Sequence, residues 1–404
     1  MKIARLLFVW LALAATNLHA QQFLDSVGDA LSFQAFDNNL RARISGTLDL
    51  EYYRYEEPAP ALIDAAGDSL FNPRLSLFLD VQAGPHVYFF AQARLDRGFD
   101  PTDEGAEARM DEYALRVTPW EDGRLNVQIG KFASVVGNWN PRHLSWDNPF
   151  ITAPLVYENV TILEDEKALP VGYIRGGELL DEKYEYLPVI WGPSYASGAS
   201  VAGRIGKFEY AAEIKNASLS SRPESWDLTQ VGFDHPTVNA RLGLRPNDAW
   251  NFGLSASKGA YFRPEAEPTL PAGRDIGDYE QLVLAQDVSF AWRHLQIWAE
   301  FYQARFELPN IGDADSFAYY IEAKYKFTPQ LFGAIRWNQQ FFDDVQGRYG
   351  PPFPWWHDIS RVDVALIYRL TEQTQLKVQY NLQHEDDPRR GYGHTLATQL
   401  TVRF

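Results

Sequence analysis

The segment at 137–160, GNWNPRHLSWDNPFITAPLVYENV, places two tryptophans among polar and charged side chains. Aromatic rings can stack on a sugar while neighbouring polar groups hydrogen-bond it. The guanidinium of Arg142 can bind a carboxylate or a phosphate through two parallel hydrogen bonds. The segment is therefore a candidate ligand-binding surface; the alternative is that its side chains only anchor it to the rest of the protein. The candidate residues are Trp139, Asn140, Arg142, His143, Trp146 and Asp147.

Residues that could catalyse a reaction or bind a metal do not form a recognisable motif. His143 lies close to Ser145, and His384 precedes Glu385 and Asp386, but neither group has a visible third partner or a distinctive nucleophile motif. The histidines lack the spacing of zinc ligands, and the sequence contains no glycine-rich phosphate loop. We therefore expect a protein that is not an enzyme and that uses no cofactor or metal.

An alternation of apolar and polar residues begins at Leu40 and indicates the fold. Over 40–52 the even positions are mainly apolar and the odd positions are polar, which is the pattern of a strand with one apolar and one wet face. The pattern predicts about sixteen strands, an even number as bacterial transmembrane barrels require. The predicted strands lie at 40–52, 75–81, 87–95, 113–117, 125–129, 199–205, 208–214, 238–244, 250–256, 282–292, 295–301, 317–327, 331–337, 362–368, 376–382 and 396–404.

The connections between these strands alternate between short turns and long loops. Seven are short and eight are long, including one at 307–315 and a very long one at about 132–198. Such asymmetry is typical of a transmembrane barrel with tight turns at the periplasmic rim and variable loops outside. Aromatic residues beside the turns suit the headgroup level of a bilayer, namely Trp120, Phe208, Trp250, Trp292 and Phe327. The predicted fold is all-β: a transmembrane antiparallel β-barrel of about 16 strands, occupying 39–404.

The composition agrees with this fold and excludes other classes. Aromatic residues make up 14% of the chain and charged residues only 22%. Beyond residue 20 no apolar run is long enough for a membrane helix. The formal net charge of −16 argues against a nucleic-acid partner, which would need a concentrated basic face.

The first residues predict export. Two basic residues, an apolar run at 6–15 and a small-residue end form the layout of a signal peptide over 1–20. Residues 21–38 then form a short periplasmic leader, whose apolar residues recur at helical spacing and make it a candidate helix. This leader would be either a small plug or a loosely ordered segment. The chain has no cysteine, so an exported fold must be closed without disulfides.

Charged residues on the wet faces of the strands would line the barrel interior. They carry both signs in similar number, and a barrel of sixteen strands leaves an aqueous channel in which such charges set ion selectivity. The alternative is that they pair across strands and stiffen the wall. The candidate lumen charges are Arg41, Arg43, Arg74, Arg94, Arg116, Arg241, Arg336, Arg361, Asp80, Glu112, Glu300 and Asp363.

The chain ends inside its last predicted strand, on Phe404, with apolar residues at Leu400 and Val402. This ending resembles the C-terminal signature of bacterial outer-membrane β-barrel proteins, and the whole pattern most resembles sixteen-stranded porins. The resemblance implies that the barrel-assembly machinery recognises these three residues in a Gram-negative outer membrane. It also implies that the loop at 132–198, the third exterior loop, folds back to narrow the channel. Homotrimers are common among such porins, so the resemblance makes a homotrimer a candidate assembled state.

These features together predict a porin whose water-filled channel passes small hydrophilic solutes or ions by passive diffusion. Three alternatives stay open. One is a substrate-selective channel for an anionic or carbohydrate ligand, and another is a plugged barrel that scaffolds a partner protein. The third is a barrel hydrolase, which would need a serine or histidine clustered with an acid at the outer rim. Outer-membrane lipid is an expected partner in each case, and nucleic acid in none.

Overall fold

Sixteen strands form one closed antiparallel barrel in the computed structural model, which describes residues 24, 26–56, 67–96, 107–170, 174, 186–221, 232–346, 351–387 and 391–404. The predicted fold class is confirmed. The signal peptide predicted at 1–20 lies outside the described residues. The barrel strands are β1 (Leu40–Tyr55), β2 (Ser69–Ala83), β3 (Val87–Asp96), β4 (Glu107–Val117), β5 (Asn126–Phe132), β6 (Ala196–Ile205), β7 (Phe208–Lys215), β8 (Thr237–Asn247), β9 (Trp250–Ala260), β10 (Glu280–Trp292), β11 (Leu295–Leu308), β12 (Gly312–Lys326), β13 (Leu331–Phe342), β14 (Ile359–Arg369), β15 (Thr374–Glu385) and β16 (Tyr392–Arg403).

The barrel closes by pairing its last strand with its first. Leu400 of β16 lies opposite Leu50 of β1, and Phe404 and Gly46 exchange two backbone hydrogen bonds of 3.0 and 3.1 Å. A short strand at Ser32–Ala35 pairs with the remaining start of β1. Because the pairing runs all the way round, the barrel leaves no open edge to lipid.

Side chains alternate between the two faces of the barrel as the sequence pattern predicts. Large apolar residues such as Leu242, Leu254 and Ile335 are exposed on the outer face, whereas polar residues such as Gln340 and Gln379 are buried inside. An apolar outer wall is what the hydrocarbon core of a bilayer requires. The five turn-side aromatics are all exposed: Trp120, Phe208, Trp250, Trp292 and Phe327.

Among the described residues, no helix is both long enough and apolar enough to cross a membrane. Within the predicted leader at 21–38, residues 26–30 are helical and join the strand at Ser32–Ala35.

The two ends of the barrel differ. The turn end carries seven short turns and both termini of the barrel, and the loop end carries the other connections.

One predicted loop is wrong, because β11 and β12 are joined by a tight turn instead of a long loop at 307–315. The two strands pair as far as Leu308 and Gly312, and the turn uses positive φ at Asn310 (64°) and Gly312 (110°). Pairing continues this far because Phe306 and Ala314 bury their inward side chains in an apolar core at the loop end of the barrel, described below.

The long connection between β5 and β6, residues 133–195, is called L3 below; its described residues, 133–170, 174 and 186–195, fold into the barrel. It contains the short 3-10 helices Asn140–Arg142 and Leu155–Tyr157 and a two-stranded piece that pairs Val160–Glu164 with Tyr186–Pro188. Most of its buried apolar residues form one core with wall residues and other loops, whereas Phe150 packs in a separate cluster with Phe332 and Ile367. Members of this loop-end core include Trp139, Tyr157, Trp191, Tyr261, Tyr302, Phe306 and Trp355.

Candidate functional site

Arg142 of L3 is held in a pocket of the barrel wall. Its guanidinium donates to Glu322 at 2.5 Å and to the hydroxyl of Tyr320 at 2.9 Å, and it lies 4.4 Å from the centre of the Trp298 ring. Arg142 and Glu322 are both buried. The predicted bidentate anion-binding arginine therefore already binds a carboxylate of the protein itself.

Two wall arginines hold the middle of L3. Arg336 donates to the carbonyl of Ala153 at 2.9 Å and to Asp363 at 2.7 Å. Arg361 donates to the same carbonyl at 2.6 Å and to Glu158 of L3 at 2.6 Å. Arg336, Arg361 and Asp363 face inward as expected, but L3 covers them completely, so they anchor the loop and do not line water.

Glu300 of β11 binds the start of L3. Its carboxylate accepts hydrogen bonds from the backbone N–H of Asn138, from that of Trp139 at 3.0 Å, and from the hydroxyl of Tyr157 at 2.9 Å. On the opposite side, Lys377 of β15 donates to the carbonyl of Asn148 at 2.7 Å. Removing one partner of the buried ion pairs Arg142–Glu322 or Arg361–Glu158 would cost about 3–5 kcal/mol. Together with these hydrogen bonds, the pairs give L3 one defined position across the barrel.

The space that L3 leaves open lies on the side of β1–β9. The inner cavity, of 210 Å³, is bounded by β1–β4 and β16 on the wall and by Trp139 and His143 on L3. The lower cavity, of 760 Å³, lies along β2–β7, and the side cavity, of 430 Å³, lies along β5–β9. His143 and Leu144 line both the inner and the lower cavity, so L3 separates a larger space at the turn end from a smaller one above it.

Comparison with solved structures identifies proteins of similar fold. No family model and no curated sequence matches the chain. Among solved structures, the anion-selective porin from Comamonas acidovorans matches with a TM-score of 0.57 and 10% identity, over 90% of this chain and 100% of that chain. This chain has the fold of outer-membrane porins.

Two further structures agree with the porin fold. The outer membrane channel DcaP of Acinetobacter baumannii matches with a TM-score of 0.55 and 10% identity, over 92% of this chain and 99% of that one. OmpT, an outer membrane protein of Vibrio cholerae, matches with a TM-score of 0.56 and 9% identity, over 92% and 99%. Sequence identities this low support a shared fold and no conclusion about function.

In this porin fold, three arginines form the wall of the inner cavity. Arg74 of β2 pairs with Asp49 at 3.2 Å and with Glu51 at 2.5 Å. Arg94 of β3 and Arg109 of β4 pair at 2.8 and 2.6 Å with one shared carboxylate, which belongs to Asp96.

The arginines of these pairs stand in front of their carboxylates. The arginine side chains are 14–22% exposed. Their four partner carboxylates are only 1–2% exposed; these belong to Asp49, Glu51, Asp96 and Asp111. The wall therefore presents guanidinium N–H groups to the cavity, although its formal charges nearly cancel. The sequence indicated Arg74 and Arg94 as lumen charges and did not indicate Arg109.

His143 of L3 stands opposite this wall. Its Nδ1 lies 2.5 Å from the carbonyl oxygen of Asn140, and its Nε2 lies 2.7 Å from the hydroxyl of Tyr195. This geometry suits a neutral ring that donates from Nδ1 and accepts at Nε2. Burial lowers the pKa of His143 to about 4, with the hydrogen bond to Asn140 opposing the shift and the nearby Arg94 adding to it, so the ring is neutral at physiological pH.

The remaining segment candidates lie apart from the inner cavity. Trp146 packs at the turn end, where the guanidinium of Arg403 lies 4.1 Å from its ring centre and that of Arg369 lies 5.5 Å away. Asp147 follows it in L3. Asn140 donates to the carbonyl of Ser134 at 2.9 Å and lines the lower cavity.

The other predicted lumen charges are distributed over the turn-end half. Arg41 and Arg43 are exposed near the start of β1, and Arg116 donates to Gln128. The rest have protein partners: Arg241 pairs with Asp287, Asp80 accepts from Tyr88, and Glu112 accepts from the backbone N–H of Ala133. The three candidate assembly residues, Leu400, Val402 and Phe404, lie on one face of β16 or directly after it.

Proposed function

We propose that the protein is an outer-membrane porin that passes small hydrophilic solutes or ions by passive diffusion. The observation that carries the proposal is the position of L3, which crosses the barrel and leaves three adjoining cavities along β1–β9. A fixed loop across a polar lumen acts as a sieve. The inner cavity has room for about seven waters at roughly 30 Å³ each; it has the smallest volume of the three, and we assign the size limit to it.

The proposal includes the other properties expected of such a porin. The chain is exported through a cleaved signal peptide into the outer membrane of a Gram-negative bacterium, where the barrel-assembly machinery reads Leu400, Val402 and Phe404. Its assembled state is a homotrimer; one of the matched structures is a trimer form of OmpT of Vibrio cholerae. We assign the protein no catalytic activity.

A second candidate function, a channel selective for anions, is favoured by one observation. The arginines of the inner cavity are partly exposed, and the carboxylates behind them are not. Further cations lie towards the turn end at Arg43, Arg116 and Lys324, and within the described residues no ion pair joins them to a carboxylate. An anion entering from the turn end would meet these positive charges before it reaches the inner cavity.

Single-channel recording of the purified protein in a planar bilayer tests the proposal. We expect stable ohmic openings and, under a KCl gradient, a reversal potential of the sign that denotes chloride preference. A reversal potential of the opposite sign would remove the anion-selective candidate and leave the porin. No current through a bilayer that contains the folded barrel would contradict the porin. It would favour the plugged barrel, with the loop-end core as part of the plug.

A further inference from the structure

We propose that the inner cavity is a binding site for a small anion that also carries hydroxyl groups, of the sugar-acid class. This inference rests on the proposed porin function and gives the solute class for its narrowest point. It depends on three properties of the cavity: exposed guanidinium groups, unsatisfied buried polar atoms, and size.

The anionic end of the solute would meet Arg74 and Arg94. Within the described part of the chain, Arg74 uses its Nε and Nη2 for protein carboxylates, and Arg94 uses its Nε in the same way. The Nη1 of Arg74 and the Nη2 of Arg94 make no protein hydrogen bond or ion pair there, whereas the Nη1 of Arg94 lies 3.7 Å from the carboxylate of Asp111. Two guanidiniums on adjacent strands therefore offer N–H donors to one site, and carboxylates accept such charge-assisted bonds strongly.

Three other polar atoms of lining residues lack partners among the described residues. One is the indole Nε1–H of Trp139, a buried donor, and two are buried acceptors, the side-chain Oδ1 of Asn72 and the side-chain Oε1 of Gln399. Buried polar atoms without partners are rare because desolvating them is costly. A bound carboxylate alone would satisfy the Trp139 donor, but the two acceptors need a donor such as a hydroxyl. The three atoms together therefore favour a solute that has both acceptors and O–H groups.

The shape of the cavity suits a compact, partly apolar body. Aromatic rings of Tyr53, Trp139 and Phe150 contribute to its lining beside the polar groups. Rings of this kind pack against the C–H faces of sugars. The volume of 210 Å³ suits a single ring and excludes an extended chain of sugars.

Calorimetric titration of the folded barrel in detergent tests the binding without needing conduction. The probes are glucuronate, cyclohexanecarboxylate, which has the charge and ring but no hydroxyls, and glucose, which has hydroxyls but no charge. We expect glucuronate to bind at least about tenfold more tightly than either, since each of the other probes leaves one set of polar groups unpaired. Equal binding of glucuronate and cyclohexanecarboxylate would overturn the hydroxyl part, and no binding of glucuronate would overturn the site.

Variants assign the binding to the cavity. Trp139→Phe removes the indole N–H and keeps an aromatic ring, and Arg94→Gln removes a guanidinium; each should weaken glucuronate binding by about tenfold. Arg245→Gln, at the turn end in the side cavity, is the matched control and should bind as the unaltered protein does. Unchanged binding in both cavity variants would overturn the assignment.

The outcome is separate from that of the porin proposal. A conducting protein that does not bind glucuronate would leave the porin and remove the binding site. A protein that binds glucuronate with these preferences but stays silent in the bilayer would support the site and contradict the diffusion channel.

Discussion

Arg361 of the barrel wall and Glu158 of L3 form a buried ion pair of 2.6 Å, although they are 203 residues apart in sequence. Arg361 also donates to Ala153 of the same loop. The pair fixes L3 to the barrel wall. The open space of the barrel is therefore the part that L3, held in this position, does not fill. The stability of the barrel and the width of the channel are therefore linked.

Breaking this pair should destabilise the protein and loosen L3. Glu158→Ala leaves Arg361 buried with one partner fewer, and we expect a loss of about 3–5 kcal/mol in the free energy of unfolding. Denaturant titration of the folded barrel measures it. Arg54→Ala is the matched control, because the Arg54–Asp68 pair is 61% and 57% exposed and should contribute less than about 1 kcal/mol. A Glu158→Ala variant as stable as the Arg54→Ala variant would show that L3 is not anchored in this way.

Closure of the barrel should depend on a glycine beneath the terminal aromatic ring. A Cβ added at Gly46 would lie 2.5 Å from the Phe404 ring and 2.9 Å from the carbonyl oxygen of Ser76. We expect Gly46→Ala to cost about 1–3 kcal/mol, the usual penalty of overpacking, and to lower the yield of folded barrel in refolding assays. Gly391→Ala, where a Cβ would meet nothing within 4 Å, should fold normally. Equal yields for the two variants would contradict the close packing of Phe404 on β1.

The buried His143 should make the protein acid-sensitive. Its pKa is about 4 in the folded state, below the ordinary value of 6.5, so the folded state disfavours the protonated ring. The contribution of the neutral ring is fully present above pH 6.5 and is lost as the pH falls towards 4, by about 3 kcal/mol in all.

Unfolding measured at pH 7.5 and at pH 4.5 checks this prediction. We expect His143→Gln to lose less stability than the unaltered protein between these two pH values. Parallel losses in the two proteins would assign the acid sensitivity to other groups.

Ion selectivity should follow the exposed arginines. Arg94→Gln removes one of the guanidiniums in front of Asp96, and we expect the chloride-to-potassium permeability ratio to fall several-fold. The reversal potential in a KCl gradient measures that ratio. Arg245→Gln, at the wide turn end, should change it less. A larger effect at Arg245 than at Arg94 would place the selective point at the turn end.

The fold could be predicted from the sequence because a membrane barrel imposes one repeated rule. Each strand alternates apolar and polar residues, as at 40–52, and the rule holds wherever one face meets lipid. The rule fails where strands leave the bilayer. At 307–315 the pattern weakens, and only the pairing of Leu308 with Gly312 reveals that the strands continue.

The candidate site was only partly predictable. L3 and the inward face of Arg94 follow from spacing, but Arg109 does not, because a β-bulge opposite Gln92 and Ala93 shifts the alternation of β4. Whether an inward charge lines water also depends on what covers it. Arg336 and Arg94 both occupy polar positions in the apolar–polar alternation of a strand. Only the folded position of L3 makes Arg336 a buried anchor and leaves Arg94 in the cavity wall.

The central claim, that solutes pass the barrel through the inner cavity, is tested most directly by cysteine modification, since the natural chain has no cysteine. Ser76→Cys places a thiol in the inner cavity, and Ser316→Cys places one between Ala314 and Ala318 of the loop-end core. Single-channel current is recorded while an anionic methanethiosulfonate reagent is added. The account predicts stepwise loss of current in the Ser76→Cys protein and none in the Ser316→Cys protein. Current that persists unchanged through modified Ser76→Cys channels would contradict it.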